Sequence, residues 1–123
     1  MHALVIDDSS AMKRILSRIL KGIGFEISEA SDGQEALACL EQLRKPDLVR
    51  VDWNMPKMNG FEFVRSVRSN PAYDNVRLMM VTTEITMGQV SKALEAGANE
   101  YVMKPFTKDV ILEKLKLIGF HES

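Results

Sequence analysis

Short aliphatic and β-branched runs alternate with longer stretches of helical period along this chain. Ala3-Leu-Val-Ile6 reads as a first strand. Ser10 to Lys21 then places Met12, Ile15, Leu16, Ile19 and Leu20 on one helical face, with Lys and Arg opposite. Gly22 and Gly24 end that helix, since glycine suits the left-handed residue at a helix C-terminus. Phe25 to Ala30 predicts a second strand, and Asp32-Gly33 turns into a helix carrying Ala36, Leu37, Leu40 and Leu43. Pro46 breaks it before a third strand, Leu48 to Val51. Asn59-Gly60 starts the helix of Phe61, Phe63, Val64 and Val67, and Asn70-Pro71 terminates it. Arg77 to Val81 is the fourth strand, followed by a weaker helix from Met87 to Ala96. Gly88 costs that helix ~1 kcal/mol relative to alanine, so its start is expected to be mobile. Gly97 caps it, Glu100 to Met103 is a fifth strand, and a last helix runs from Thr107 or Lys108 to near Ile118.

Five βα units in succession predict an α/β fold, a doubly wound five-stranded parallel sheet with helices on both faces, because such crossovers are right-handed. The strand order 2-1-3-4-5 is taken from the common flavodoxin-like arrangement rather than from the pattern itself. With 123 residues there is room for one core and not for two, so residues 1–123 are expected to form a single domain with no output domain. The net charge of −1, from 16 basic and 17 acidic side chains, gives no global field for nucleic acid or an anionic membrane. Cys39 is the only cysteine, which excludes an internal disulfide and suits a reducing compartment. No signal-peptide pattern and no apolar run near the ~20 residues of a membrane helix is present, so the expected location is the cytoplasm.

Polar residues of a distinctive kind follow these strands. Asp7 and Asp8 follow the first, Asp52 the third, Thr82 the fourth and Lys104 the fifth. Singly, each has an ordinary explanation: Asp and Ser cap helices, Asp favours turns, and a lysine before proline is a solvated loop charge. In the assumed order, however, strands one, three, four and five are contiguous, and ligands bind outside the carboxyl ends of such strands. Three carboxylates in one pocket repel unless a cation lies among them, and oxygen-only donors favour a hard ion such as Mg2+. Lysine and threonine suit phosphate oxygens, and an aspartate can attack phosphorus to give an acyl phosphate. Asp52 stands alone and is the candidate nucleophile, leaving Asp7 and Asp8 for the metal.

Val5-Ile-Asp-Asp-Ser9, Asp52-Trp-Asn-Met-Pro-Lys-Met-Asn-Gly60, Val81-Thr-Thr-Glu84 and Ala96 to Thr107 together resemble the response-regulator receiver family over essentially the whole chain, most closely its single-domain chemotaxis regulators. The resemblance implies that Asp52 accepts phosphate from a histidine kinase or phosphotransfer protein. It implies Mg2+ held by Asp7, Asp52 and the backbone carbonyl of Asn54, with Asp8 acting through a metal-bound water. Thr82 and Lys104 would bind the phosphoryl group, Tyr101 would turn inward as Thr82 moves, and Lys104-Pro105 would be cis. Asn54 and Glu84 occupy positions that tune acyl-phosphate lifetime. A two-state switch from 1:99 to 99:1 needs ~5.5 kcal/mol, and charged hydrogen bonds at ~1.5–3 kcal/mol each supply most of it.

The expected readout surface is the fourth helix, fifth strand and fifth helix, including Gln89, Val90, Ala93, Tyr101, Lys104, Ile111 and Lys116. A flagellar switch component or a relay protein would bind there, and the chain is expected to be a monomer that binds neither nucleic acid nor membrane. Arg50 departs from the family, which usually carries an apolar or small residue there. Strand alternation puts it on the face of Asp52, so it is predicted to pair with an acid or reach the sheet edge. Two rival classes are weaker. A haloacid-dehalogenase-like phosphatase wants an Asp where Asn54 stands, and Asp7-Asp8 would repel the phosphate of a flavin.

Overall fold

The computed structural model describes residues 1–7, 9–42, 46–53, 58–82, 87–103 and 106–120, with the side chains of Thr82 and Met87 set aside. Strands β1 (His2–Ile6), β2 (Glu26–Ala30), β3 (Leu48–Asp52), β4 (Arg77–Thr82) and β5 (Glu100–Met103) alternate with helices α1 (Ser10–Ile23), α2 (Gly33–Gln42), α3 (Gly60–Arg68), α4 (Met87–Ala96) and α5 (Lys108–Leu117). All strand pairs are parallel, in the order β2-β1-β3-β4-β5. The fold is therefore the doubly wound, flavodoxin-like one expected. The direction in which successive strands are added to the sheet reverses between β1 and β3, where such sheets open a crevice.

Alternation along each strand sorts the core into two layers. Leu4, Ile6, Val49, Val51, Leu78 and Met80 pack with α2, α3 and α4 through Ala36, Leu40, Phe63, Val64, Val67 and Ala93. Ala3, Val5, Leu48, Met79, Val81 and Val102 face the other way, onto Leu16, Leu20 and Ile23 of α1 and Ile111 and Leu115 of α5. Both sheet faces are thus covered, as a parallel sheet requires. The open edge of β2 carries Glu26 and Glu29, both exposed.

Local chemistry explains most boundaries. Ser9 caps α1 by accepting the Met12 N–H at 3.2 Å, and Gly24, at φ 116°, closes it in the left-handed region. Gly22 does not stop the helix, which continues to Ile23 because the capping geometry belongs to Gly24 alone. Ile15, expected in the core, is 52% exposed. The buried stripe is Leu16, Leu20 and Ile23, at i, i+4 and i+7, and Ile15 falls on its margin. Asn59 and Glu62 form a reciprocal capping box at α3. After α3, Asn70-Pro71 both ends the helix and starts a one-turn 3₁₀ helix, Pro71–Tyr73, because Asn70 Oδ1 accepts the Ala72 N–H.

Candidate phosphoryl-transfer site

The site grows from two adjacent strand ends. Asp52 is the last residue of β3 and is only 5% exposed. Asp7 follows β1 directly, and its N–H donates to the Ala30 carbonyl of β2, which carries the sheet geometry one residue further. Val5 lies beside Arg50 in the β1–β3 register. Asp7 and Asp52 are each two residues further along, so both acids rise from the same side of the sheet as Arg50, one layer above it. The two acids therefore meet at the β1–β3 reversal.

Asp7 is held from two directions. Its Oδ1 accepts the Ser9 N–H at 2.9 Å, at the entry of α1. Its Oδ2 accepts Arg50 Nη1 at 2.8 Å, a salt bridge in which both side chains are almost wholly removed from solvent. Arg50 Nη1 also donates to the Ile6 carbonyl at 3.0 Å. The expectation for Arg50 resolves in favour of an acid partner, and that partner is one of the site acids. Burial pushes the guanidinium below its ordinary pKa, while Asp7 foremost, and then Asp52, pull it back. Arg50 remains a cation under any ordinary condition.

The other wall of the site follows from β4. Thr82 is the final residue of that strand, pairing with Met103 of β5 one step beyond the pair of Asp52 with Val81. Trp53 donates its N–H to the Val81 carbonyl and accepts the Gly60 N–H, so the chain after Asp52 is tied to β4 and to the start of α3. A Cβ on Gly60 would stand 2.6 Å from the Asp52 carbonyl oxygen, so only glycine lets α3 begin this close to the acid. Trp53 itself is half-buried, with its ring 6.1 Å from that of Phe61.

Tyr101 of β5 lies on the opposite face from Val102, half-buried against the α2–α3–α4 layer. Lys114 of α5 sits over its ring at 4.6 Å and reaches Glu100 at 3.4 Å. Of the other expected site residues, Asp8, Asn54, Glu84 and Lys104 lie outside the described residues, as does the Lys104-Pro105 peptide. The structure thus brings Asp7 and Asp52 together, places the Thr82 backbone on the adjoining strand, and sets Tyr101 on β5 beyond it. Among the described residues no three metal-ligating side chains converge. The two buried carboxylates are nevertheless hard oxygen donors of the kind that Mg2+ prefers, so the residues present fit that ion.

The fold is thus a doubly wound parallel sheet in which Asp52 closes β3 beside Asp7, which follows β1. Residues 3–116 match the response regulator receiver domain, and the chain belongs to that family. It is 42% identical over 119 residues to the chemotaxis protein CheY1 of Helicobacter pylori, covering 96% of each. It is 44% identical over 117 residues to the CheY homolog of Campylobacter jejuni, covering 94% of this chain and 90% of that one. Among solved structures, the Vibrio cholerae chemotaxis protein CheY4 superposes with a TM-score of 0.88 at 35% identity, over 95% of this chain and 97% of that one. The chain is a CheY-like response regulator, a signalling protein in kind. No helix among the described residues is long and apolar enough to cross a membrane.

Proposed function

We propose that this protein accepts a phosphoryl group on Asp52 from the phosphohistidine of a kinase and, in that state, binds a downstream protein in a chemotaxis-type pathway. The observation that carries this reading is the placement of Asp52, buried at the end of β3 and beside Asp7 where the sheet reverses. An Asp52 carboxylate oxygen attacks phosphorus, the P–N bond to the donor imidazole breaks, and the imidazole leaves with the electron pair and takes up a proton. The product is an acyl phosphate on the protein itself. Asp7, Asp8, Asp52 and the Asn54 carbonyl would hold Mg2+, which when bound offsets charge on the phosphoryl oxygens. In this reading Thr82 and Lys104 contact the same oxygens, and Asn54 and Glu84 set how long the acyl phosphate lasts.

Two surfaces fit the protein partners. The outer side of α1 presents Lys13, Arg14, Arg18 and Lys21 along a groove of about 500 Å3 that starts at Ser10 and is bordered by Glu29, a mainly basic face for a phosphodonor. On α4, β5 and α5 the structure exposes Leu94, Met103, Val110 and Leu117, an apolar group suited to the downstream protein. Two residues expected on that surface are not available to a partner. Ala93 and Ile111 are 2% and 0% exposed, because each faces inward, Ala93 onto the sheet with α3 and Ile111 one turn before Leu115.

The decisive measurement is intact-protein mass after incubation with acetyl phosphate and Mg2+. A gain of one phosphoryl group that Asp52→Asn abolishes is the expected result. An equal gain in Asp52→Asn would place the acceptor elsewhere.

A further inference from the structure

Arg50 lies within the acid site, and the proposed phosphoryl transfer at Asp52 does not use it. Its side chain is wholly buried, and its Nη1 is engaged by Asp7 and the Ile6 carbonyl. Its Nε and Nη2 find no hydrogen-bond acceptor among the described residues. The charge is therefore compensated from one direction, by the acids that form the site above it. A guanidinium seated under two carboxylates does locally what a bound cation does: it lowers the repulsion between them and orients the one it touches.

We infer that Arg50 is a built-in counter-cation of the acid site, a positioning residue that fixes Asp7 and weakens the site's hold on divalent metal. This rests on the reading of Asp7 and Asp52 as metal-site acids. Geometry supports competition rather than cooperation. Both Asp7 oxygens already accept hydrogen bonds, Oδ1 from Ser9 and Oδ2 from Arg50, so a divalent ion shares that carboxylate with a resident positive charge. Between like charges in a poorly solvated setting, such sharing is unfavourable over several ångströms. A purely structural ion pair would influence folding but leave metal affinity where it was. Metal affinity is therefore the discriminating quantity.

The test is Mg2+ binding by calorimetry, with emission from Trp53, the only tryptophan, as a second signal. Wild type is compared with Arg50→Met and Arg50→Lys. Arg50→Met is expected to bind Mg2+ about tenfold more tightly, and Arg50→Lys to stay within about threefold of wild type because the charge is kept. Equal or weaker binding by a folded Arg50→Met overturns the inference. A second arm needs no variant: the Arg50 Nε–Hε NMR signal of the wild type should shift on Mg2+ saturation, with the signal of Arg68, whose Nε donates to the Gly97 carbonyl, as control. An unmoved Arg50 signal in metal-saturated protein also overturns it. If wild type and variants alike bind no Mg2+, the metal-site reading itself fails and takes the inference with it.

Discussion

The Asp7–Arg50 pair is asymmetric in what its loss should do. Asp7→Ala leaves a buried guanidinium without its main partner, and removing one member of a buried pair typically costs about 3–5 kcal/mol. Arg50→Met replaces the cation with an apolar chain among Leu48, Val5 and Met79, so its loss should be smaller, and Mg2+ should restore part of it. Urea denaturation with and without chelator checks both, and a larger loss in Arg50→Met than in Asp7→Ala would reverse the assignment. Cys39 offers a separate check. Burial first, then the nearby Glu35 charge, raises its thiol pKa above the ordinary cysteine value. Because the folded thiol holds its proton more tightly than the unfolded one, its contribution to stability is present below the unfolded pKa and is lost as pH rises through the folded value. Iodoacetamide near pH 8 should accordingly modify native protein more slowly than urea-unfolded protein. At this scale the position of Asp52 was legible: an apolar run ending in an acid is visible in one dimension. The partner of Arg50 was not, because alternation gives the face of a residue while the contact depends on the register between β1 and β3.

Helix and strand ends carry the next level of specification. Gly60 is needed where α3 leaves the strand end, and Gly60→Ala should destabilise by about 1–3 kcal/mol through overpacking against Asp52 and Met80. Thermal melts of the two proteins would show it, and an unchanged midpoint would mean that α3 can shift without strain. Arg68 performs a comparable task at the other end of α3. Its fork donates to the carbonyls of Gly97, Tyr73 and Val76 and to Asn99 Oδ1, which in turn accepts the Leu78 N–H. One side chain thereby ties α3 to the start of β4 and to the turn before β5. The pattern predicted nearly every element, since each buries a stripe or a face against a common sheet. It erred where margins are involved: Ile15 and Gly22 of α1, and the 3₁₀ turn at Pro71, which share their residue types with the neighbouring outcomes.

For the molecule as a whole, the order 2-1-3-4-5 sets the geometry of signalling. The acid site lies at one end of the sheet, while α4, β5 and α5 form a side of the molecule reached across β4. No local pattern encodes that order, because it depends on which crossover goes to which face; it came from resemblance to a known arrangement. Under the proposed function, replacing Leu94 and Val110 by serine should weaken capture of the downstream protein at least tenfold while leaving phosphoryl uptake on Asp52 intact. Parallel uptake and pull-down measurements would separate the two, and loss of uptake would show that these side chains belong to the site instead. The roles of Lys104 in binding the phosphoryl group, and of Asn54 and Glu84 in setting its lifetime, rest on sequence resemblance; substitution of Asn54 or Glu84 should change phosphoryl lifetime, followed by the decay of the phosphorylated mass, before it changes stability.

The margin of the sheet has its own consequence. Strand β2 lies at the margin of the sheet, with no further strand beside it among the described residues, and Glu26 and Glu29 stand exposed along it. A second copy laying the same margin alongside would stack carboxylate on carboxylate, and such repulsion opposes extension of one sheet into another. The exposed carboxylates of β2 thereby guard this margin against joining a second sheet.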